Sequence, residues 1–349
     1  MNVLVTGAAG YIGSHACDRL LRDGHRVVGV DNFLRGNQGA VHLLRAGKGG
    51  DRFLFVTADI ADRGTLEALM RDQKIDAVMH FAALAAVGES VDQPLLYYRN
   101  NVVGMIALLE AVVAAGVPRF VFSSSCATYG PPPANMVPIP EDCPKAPISP
   151  YGWTKLHGEH ILADVAQGCR RAGKPFAYAA LRYFNVAGAD RAGRLGEDHD
   201  PETHIIPVVI QAAMGQRPHV GLFGTDYPTP DGTCIRDYVH VEDLADAHVT
   251  VMHALKPDGV NGAPDERRYN LGIGKGYSVR EIIDAVRKVS GKDFKVVEQP
   301  RRAGDPPQLF ANPNLIKRDL NWNAKITDLH EIIATAWTWF QKNPHGYKS

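Results

Sequence analysis

The apolar positions of this chain switch repeatedly between two periods. Asn2-Val3-Leu4-Val5-Thr6 is a short, unbroken apolar run with β-branched side chains, the pattern of a strand buried on both faces. A glycine-rich turn follows, then an amphipathic stretch from Ser14 to Arg22 and a second strand-like run over 26–30. Further strands are predicted over 53–56, 75–81, 120–122 and 176–181. Helical spacing occupies 63–71, and 94–115 reads as one long helix stopped by Gly116 and Pro118. Another helix is predicted from Tyr151 to about Arg171. Strand and helix in regular alternation predict an α/β fold, a doubly wound parallel sheet of the Rossmann type.

Beyond residue 187 the alternation loosens. Residues 188–201 are polar and glycine-rich, 205–214 is an apolar helix, and 224–232 reads as a loop. Strand-like runs over 235–239 and 269–272 and helices over 241–255, 279–289 and 327–340 complete the chain. These predict a smaller, discontinuous α/β domain made of 188–234 and 266–349, with 1–187 and 235–265 forming the larger one.

In doubly wound sheets ligands bind outside the carboxyl ends of the strands. Gly7, Asp31, Asp59, Ala82, Ser123 to Ser125 and Asn185 all fall at predicted strand ends. Gly7, Gly10 and Gly13 stand in G-x-x-G-x-x-G spacing between a strand and a helix, where glycines admit a tight turn and a dinucleotide pyrophosphate at the helix N-terminus. Asp31, eighteen residues after Gly13, suits the adenosine ribose hydroxyls and repels a 2′-phosphate, so NAD is favoured over NADP even with Arg35 nearby. Asp59 either meets the adenine amino group or caps the helix that follows. Ala82 and Ala83 are small enough for a cofactor to lie against the backbone.

The most suggestive chemistry is Tyr151 and Lys155, four apart just after Pro150, and so on one face of a helix. A nearby ammonium favours phenolate, but bringing a phenol from ~10 to near ~7 takes roughly 4 kcal/mol, so a second cation is wanted. A surface i,i+4 pair is the alternative, and the strand-end cluster argues against it.

Composition narrows the field without changing it. The chain has 349 residues, 45% hydrophobic and 22% charged, with 38 basic and 38 acidic side chains, so no basic field points to nucleic acid. Five scattered cysteines without a CxxC argue against zinc clusters and disulfide frameworks. The opening residues run directly into a strand, without the pattern of a secretory signal, and no apolar run approaches ~18 residues. A cytoplasmic enzyme with no membrane partner is the expectation. His157 and His160 lie three apart around Glu159, but no third ligand is evident and no metal is expected.

Several blocks together carry a resemblance: Val5 to His15, Val87-Gly88-Glu89-Ser90, Ser123-Ser124-Ser125, Pro150-Tyr151-Gly152 with Lys155, Leu181 to Asn185, Arg236 to Val241, Arg301 to Asp305 and Leu320-Asn321-Trp322. The chain resembles the extended short-chain dehydrogenase/reductase family over almost its whole length, and within it the UDP-glucose 4-epimerases. That resemblance implies NAD as resident cofactor, a UDP-sugar substrate and a homodimer. Tyr151 as phenolate would take the proton of the sugar 4-OH while C4 gives hydride to NAD⁺, and the 4-keto sugar would turn before hydride returns. Lys155 would lower the phenol pKa and hold the nicotinamide ribose, and Ser125 would hold the same sugar oxygen. Tyr11, Ile12, Asn32, Ile60, Phe81, Asn100, Ser123 and Tyr183 would complete the cofactor contacts.

On the substrate side the resemblance implies Arg236 and Arg302 for the diphosphate, Asp305 for the uridine ribose, Asn185 for the diphosphate or sugar, and Phe223 near uracil. His204 stands where the family commonly has a substrate-contacting Asn, beside Ile205. Ala85 replaces a cofactor-reaching Lys, and Cys126-Ala127-Thr128-Tyr129 departs from the commoner Ala-Thr-Val-Tyr, changes shared with a branch that includes UDP-arabinose 4-epimerases. Leu309 occupies a position that gates N-acetyl sugars. UDP-arabinose/UDP-xylose and UDP-N-acetylhexosamine 4-epimerases are therefore the alternatives. A 4,6-dehydratase would want Asp-Glu where Cys126-Ala127 stands, and a non-catalytic NAD sensor would not need Tyr151 and Lys155.

Overall fold

A computed structural model describes residues 1–302 and 305–347; Ala303 and Gly304 of the Arg301–Asp305 block lie outside the described residues. The chain forms two compact units, 1–130 with 145–182 and 245–269, and 131–144 with 183–244 and 270–349. Residues 131–144, 183–187 and 235–244 thus group with the second unit, and 266–269 with the first, where the sequence boundaries placed them oppositely.

The first unit is built on a seven-stranded sheet. Its strands are β1 (Asn2–Thr6), β2 (Arg26–Asp31), β3 (Phe53–Thr57), β4 (Ala77–His80), β5 (Arg119–Ser125), β6 (Ala177–Tyr183) and a last strand, Glu266–Leu271. The order across the sheet is Glu266–Leu271, β6, β5, β4, β1, β2, β3. β1 pairs in parallel with β2 and β4, β2 with β3, and β4 with β5. The chain therefore winds outward from β1 in one direction through β3 and then restarts at β4 in the other. The carboxyl ends of β1 and β4 flank that switch point, the position where such sheets take ligands. β4 and β6 are buried at every position, which is why both read as continuous apolar runs rather than alternating ones.

Helices α1 (Tyr11–Arg22), α2 (Gln38–Ala46), α3 (Arg63–Asp72), α4 (Val87–Asp92), α5 (Pro94–Tyr98), α6 (Gly104–Ala115) and α7 (Pro150–Arg171) belong to this unit. Leu66 and Met70 of α3, Leu108 and Val112 of α6 and Leu162 of α7 close a core over Leu4, Val28, Val78, Phe120 and Tyr178. The long helix expected over 94–115 is interrupted: Arg99–Val103 is a π-helical turn between α5 and α6. A π turn holds one residue more than an α turn, and such turns are frequent at functional sites. Here it coincides with Asn101, whose side chain bonds a neighbouring loop, as described below.

The second unit has its own core. Ile206, Val209 and Ile210 of α8 (Ile205–Ala213) pack with Ile282 and Val286 of α10 (Val279–Ser290) and with Ile332, Ile333 and Trp339 of α12 (Leu329–Lys342). α9 (Val241–Ala254) and α11 (Asn314–Leu320) lie between these in sequence. Its strands are short: Asn185–Ala187 runs parallel to Tyr238–His240, and Val220–Phe223 parallel to Val296–Gln299. Ile235–Arg236 lies between Tyr277–Ser278 and Gln308–Leu309. This pairing explains why 235–240 groups with the second unit. No helix among the described residues is long and apolar enough to cross a membrane.

Candidate functional site

The glycine turn is set by close approach. Gly7 has φ +73°, and a Cβ there would stand 2.7 Å from the Ala82 nitrogen; a Cβ on Gly13 would stand 2.0 Å from the Gly7 oxygen. Both positions exclude a side chain, so the turn is pressed against the end of β4 and α1 against the turn. Gly10 caps α1 in extended conformation with no side-chain cap, and no acidic residue occupies the first turn, which holds Tyr11, Ile12 and Gly13. The helix end thus offers backbone N–H groups and the positive end of the macrodipole to an anion.

Asp31 closes β2. Its Oδ2 accepts from the Ala9 N–H at 3.0 Å and its Oδ1 from the Phe33 N–H at 2.8 Å, while burial pushes its pKa up against those bonds. Asn32 donates to Asp59 Oδ2 at 2.8 Å, and Asp59 Oδ1 accepts from the Ala61 N–H at 2.8 Å. The cap of α3 is Asp62, which accepts from the Thr65 N–H. Asp59 is therefore not a helix cap. Ile60 is buried against Gly104, where a Cβ would stand 2.9 Å from Ile60 Cδ1. Phe81 packs its ring 4.7 Å from that of His248, and Ala82 and Ala83 are half-buried where β4 ends.

Two polar residues that the sequence reading passed over organise this region. Asn101, one residue after Asn100 and accepting from its side chain, is buried. It accepts from the Leu84 N–H, donates to the Leu84 carbonyl (both 2.9 Å) and donates to Thr154 Oγ1 at 3.1 Å. It thereby ties the loop after β4 to α7. Its signal was a polar residue inside an apolar helical run. His80 is buried with Nδ1 2.7 Å from Thr6 Oγ1; burial and the Lys155 charge lower its pKa to about 3, so it stays neutral.

Tyr151 sits in the first turn of α7, which Ser149 caps by accepting from the Gly152 N–H and Pro150 opens. The helix lies tight on the segment after β5: a Cβ on Gly152 would stand 2.6 Å from the Ala127 oxygen. Ser125 Oγ accepts from the Ala127 N–H at 3.1 Å and hydrogen-bonds the Tyr151 hydroxyl. Lys155 Nζ donates to the Ser123 carbonyl at 2.7 Å and lies 5.8 Å from the Tyr151 ring centroid. Ser123, Ser125, Tyr151 and Lys155 are all buried.

The electrostatics differ from the expectation of a lowered phenol. Burial pushes Tyr151 up to about 12, with the Ser125 hydrogen bond opposing it and Cys126 adding to it; burial pushes Lys155 down to about 7. Desolvation dominates both shifts, so the groups acting on Tyr151 leave it a neutral phenol, and a phenolate there calls for further positive charge. A consequence for stability follows. The unfolded chain binds a proton at Lys155 up to about 10.5, the folded chain only up to about 7. Between those values the unfolded state holds more protons, so this residue makes stability rise with pH. Lys155→Met should therefore unfold at a higher temperature than the parent at about pH 6 and lose that advantage towards pH 10, read by thermal unfolding across pH. An unchanged difference across that range would refute the assignment.

Beneath these groups runs a buried ionic network. Ser124 Oγ donates to Glu159 Oε1 at 2.6 Å; Arg182 donates through Nε to Oε1 at 2.8 Å and through Nη2 to Oε2 at 2.5 Å, and through Nη1 to the Tyr129 hydroxyl at 2.9 Å. It joins β5, α7 and β6 one helical turn beyond Lys155. Glu159 is thus committed to Arg182 and is not a ligand partner of His157 and His160.

In the second unit, Arg236 donates to Asp305 Oδ1 at 3.0 Å and to the Ile235 carbonyl at 2.8 Å. The strand that carries Arg236 runs into Asp237, a buried carboxylate that accepts from the Ile273, Gly274 and Ala311 N–H groups and that burial pushes up to about 7. Arg302 holds its guanidinium 4.0 Å from the Phe223 ring centroid, while Arg301 is bound to Asp226 at 2.7 Å and covers Tyr227. Asn185 hydrogen-bonds Tyr238, a neighbour of Arg236. Leu309 lies in the strand beside Arg236. His204 caps the start of α8, before Ile205, and its ring Nδ1 lies 2.5 Å from Glu197 Oε1. Tyr183 is buried at the end of β6. Two guanidinium groups with a carboxylate and an aromatic face suit a nucleoside diphosphate.

Comparison with known proteins agrees in kind. Residues 3–272 match the family model described as NAD dependent epimerase/dehydratase family. The chain is 44% identical over 349 residues to a UDP-glucose 4-epimerase of Halalkalibacterium halodurans, covering 100% of this chain and 98% of that one. It is 44% identical over 351 residues to UDP-arabinose 4-epimerase 1 of Arabidopsis thaliana, covering 99% of this chain and 81% of the relative. The crystal structure of UDP-glucose-4-epimerase from Stenotrophomonas maltophila, with bound NAD and formylated UDP-arabinopyranose, superposes with a TM-score of 0.91 at 42% identity, covering 99% of both chains.

Proposed function

From the NAD dependent epimerase/dehydratase family, to which this chain belongs, we propose that the protein interconverts UDP-glucose and UDP-galactose by NAD-dependent 4-epimerisation. The observation that carries this reading is Ser125, Tyr151 and Lys155 gathered at the end of β5, in a chain that matches such an enzyme over its full length. The glycine turn fits NAD, since neither Gly7 nor Gly13 has space for a Cβ and the α1 N-terminus carries no side-chain cap. Tyr11, Ile12, Asp31, Asn32, Asp59, Ile60, Phe81, Ala82, Ala83, Asn100, Ser123 and Tyr183 would line its path.

When bound, NAD⁺ supplies a reversible hydride acceptor and the positive charge that the Tyr151 phenol requires. Tyr151 takes the proton of the sugar 4-OH and later returns one to the same oxygen. Ser125 holds that oxygen, and Lys155, anchored on the Ser123 carbonyl, stabilises the phenolate and binds the cofactor ribose. Arg236 and Arg302 hold the diphosphate, Asp305 the ribose and Phe223 the uracil side, while Asn185, His204 and Ile205 face the remainder. The grip falls on the nucleotide, so the keto sugar is left free to turn.

The test is incubation with UDP-galactose: formation of UDP-glucose without accumulation of NADH is expected. Cys126-Ala127-Thr128-Tyr129, Ala85 and the likeness to a UDP-arabinose 4-epimerase favour a second reading, the pentose pair. Turnover of UDP-arabinose and UDP-xylose, with none of the hexoses, would replace the first reading by that one.

The same proposal includes a homodimer in the cytoplasm. Val87, Val91, Leu95, Val103, Ile106 and Trp153 are exposed apolar side chains on α4, α5, the π turn, α6 and α7, with Leu95 79% exposed. A patch of this kind is usually covered, and a second copy covers it symmetrically. Leu95→Glu with Val103→Glu should convert a dimeric parent to monomers, read by light scattering; a monomeric parent would end this part of the proposal. The five free cysteines fit a reducing compartment.

A further inference from the structure

The connection that leads into α8 contains a second concentration of chemistry. Glu197, His199, Glu202 and His204, spaced Glu-x-His-x-x-Glu-x-His, bring one donor atom each to within 4.8 Å of all the others. Sequence reading singled out only His204, as a substrate-side residue, and expected no metal.

The geometry is that of ligands facing a common centre. His199 Nδ1 lies 3.2 Å from Glu197 Oε1 and 3.7 Å from Glu202 Oε2; His204 Nδ1 lies 2.5 Å from Glu197 Oε1 and 3.8 Å from Glu202 Oε1. Four N and O donors placed about 2.0–2.2 Å from one ion in a tetrahedron stand roughly 3.3–3.6 Å apart. The imidazole–carboxylate distances, which involve either oxygen of Glu202, run from 2.5 to 3.8 Å and so bracket that edge length, while the four donor atoms taken one per residue lie within 4.8 Å of one another. Both imidazoles present the same nitrogen, Nδ1, to the cluster.

The surroundings favour a cation over a surface accident. Glu197 and Glu202 are buried and hold both imidazoles in the charged form, so the pocket already concentrates positive charge between two carboxylates, a role that a bound cation would take over. Glu202 Oε1 is fixed by the N–H groups of Thr203 at 2.7 Å and His204 at 2.8 Å, and Arg217 donates to the Glu202 carbonyl at 3.0 Å. The His204 side chain is 56% exposed, which leaves a way in from solvent.

We propose that Glu197, His199, Glu202 and His204 form a binding site for one divalent transition-metal cation of the zinc class. Imidazole with carboxylate suits zinc and its neighbours rather than calcium or magnesium, which prefer oxygen donors. Four protein donors leave no open position, so the ion pins the connection to the start of α8 and does no chemistry. The site shares only His204 with the proposed substrate side; Glu197, His199 and Glu202 have no part in the proposed epimerisation.

The full-length protein, stripped with a chelator and dialysed against zinc at mildly alkaline pH, where the metal competes more readily with protons for the imidazoles, should retain one zinc per chain by mass spectrometry. Competition with a chromophoric chelator should show binding weakened at least ~10-fold in Glu197→Gln and in His199→Asn, with magnesium failing to displace zinc. Cobalt in the parent should give the intense visible absorption of a four-coordinate site, a readout that does not depend on the variants folding. A parent that retains no zinc, a cobalt spectrum of the six-coordinate aquo ion, or a folded His199→Asn that binds zinc as tightly as the parent each overturns the proposal.

Discussion

Tyr151→Phe should leave a folded protein that has lost about 10²–10⁴-fold in the rate of UDP-galactose conversion, the range expected for removing a positioned acid/base group. The substitution is nearly isosteric, and the ring stays buried with Leu84 and Tyr97. Only the hydroxyl is lost, and with it the hydrogen bond to Ser125. Because phenolate formation is opposed by burial, activity should also depend on the charge state around this residue. In the parent, the rate should climb with pH until the phenol, lowered by the bound cofactor and Lys155, is ionised; in Tyr151→Phe that limb should disappear from the residual rate. A variant retaining more than about a tenth of the parent rate would transfer the acid/base role elsewhere.

The second large effect concerns stability. Arg182→Met leaves Glu159 buried without its partner, and breaking such a pair typically costs about 3–5 kcal/mol. Thermal unfolding should begin on the order of 10 °C lower. Glu159 is held below the usual carboxylate range; burial opposes this, and the Arg182 bonds, with Ser124, more than offset it. A depressed folded pKa gives stability that is present above the unfolded value, 4.5, and is lost as pH falls below it. In Arg182→Met the stranded carboxylate is relieved by protonation, so the gap between parent and variant should narrow as pH falls through that region. Replacing both residues by apolar ones of similar size should cost less than Arg182→Met alone. Equal losses in the single and double variants would show that the network adds nothing beyond packing.

The sheet and the cofactor end of the first unit were legible because buried parallel strands write themselves as short apolar runs, and because glycine is dictated where backbone meets backbone. Gly7 and Gly13 show this directly. What escaped the sequence has physical reasons. α4 holds six residues, Val87–Asp92, too few for a periodic signal. Asp59 and Asp62 both precede α3, and composition alone does not say which carboxylate reaches the free N–H groups. Arg182 and Glu159 are twenty-three residues apart, so their union appears only once β6 and α7 are packed. The pKa ordering of Tyr151 and Lys155 depends on burial depth, which spacing does not encode.

The π turn at Arg99–Val103 sets the rotational phase of everything after it. One residue advances a helix by about 100°, so deleting a single residue here, although it would restore a regular and better hydrogen-bonded α-helix, would swing Met105, Leu108, Leu109 and Val112 off the sheet by that angle. It would also turn Asn101 away from the loop it clasps. Length is therefore a constraint on this segment in its own right: substitutions at its exposed positions, Arg99 and Val103, should be tolerated far better than any one-residue deletion or insertion.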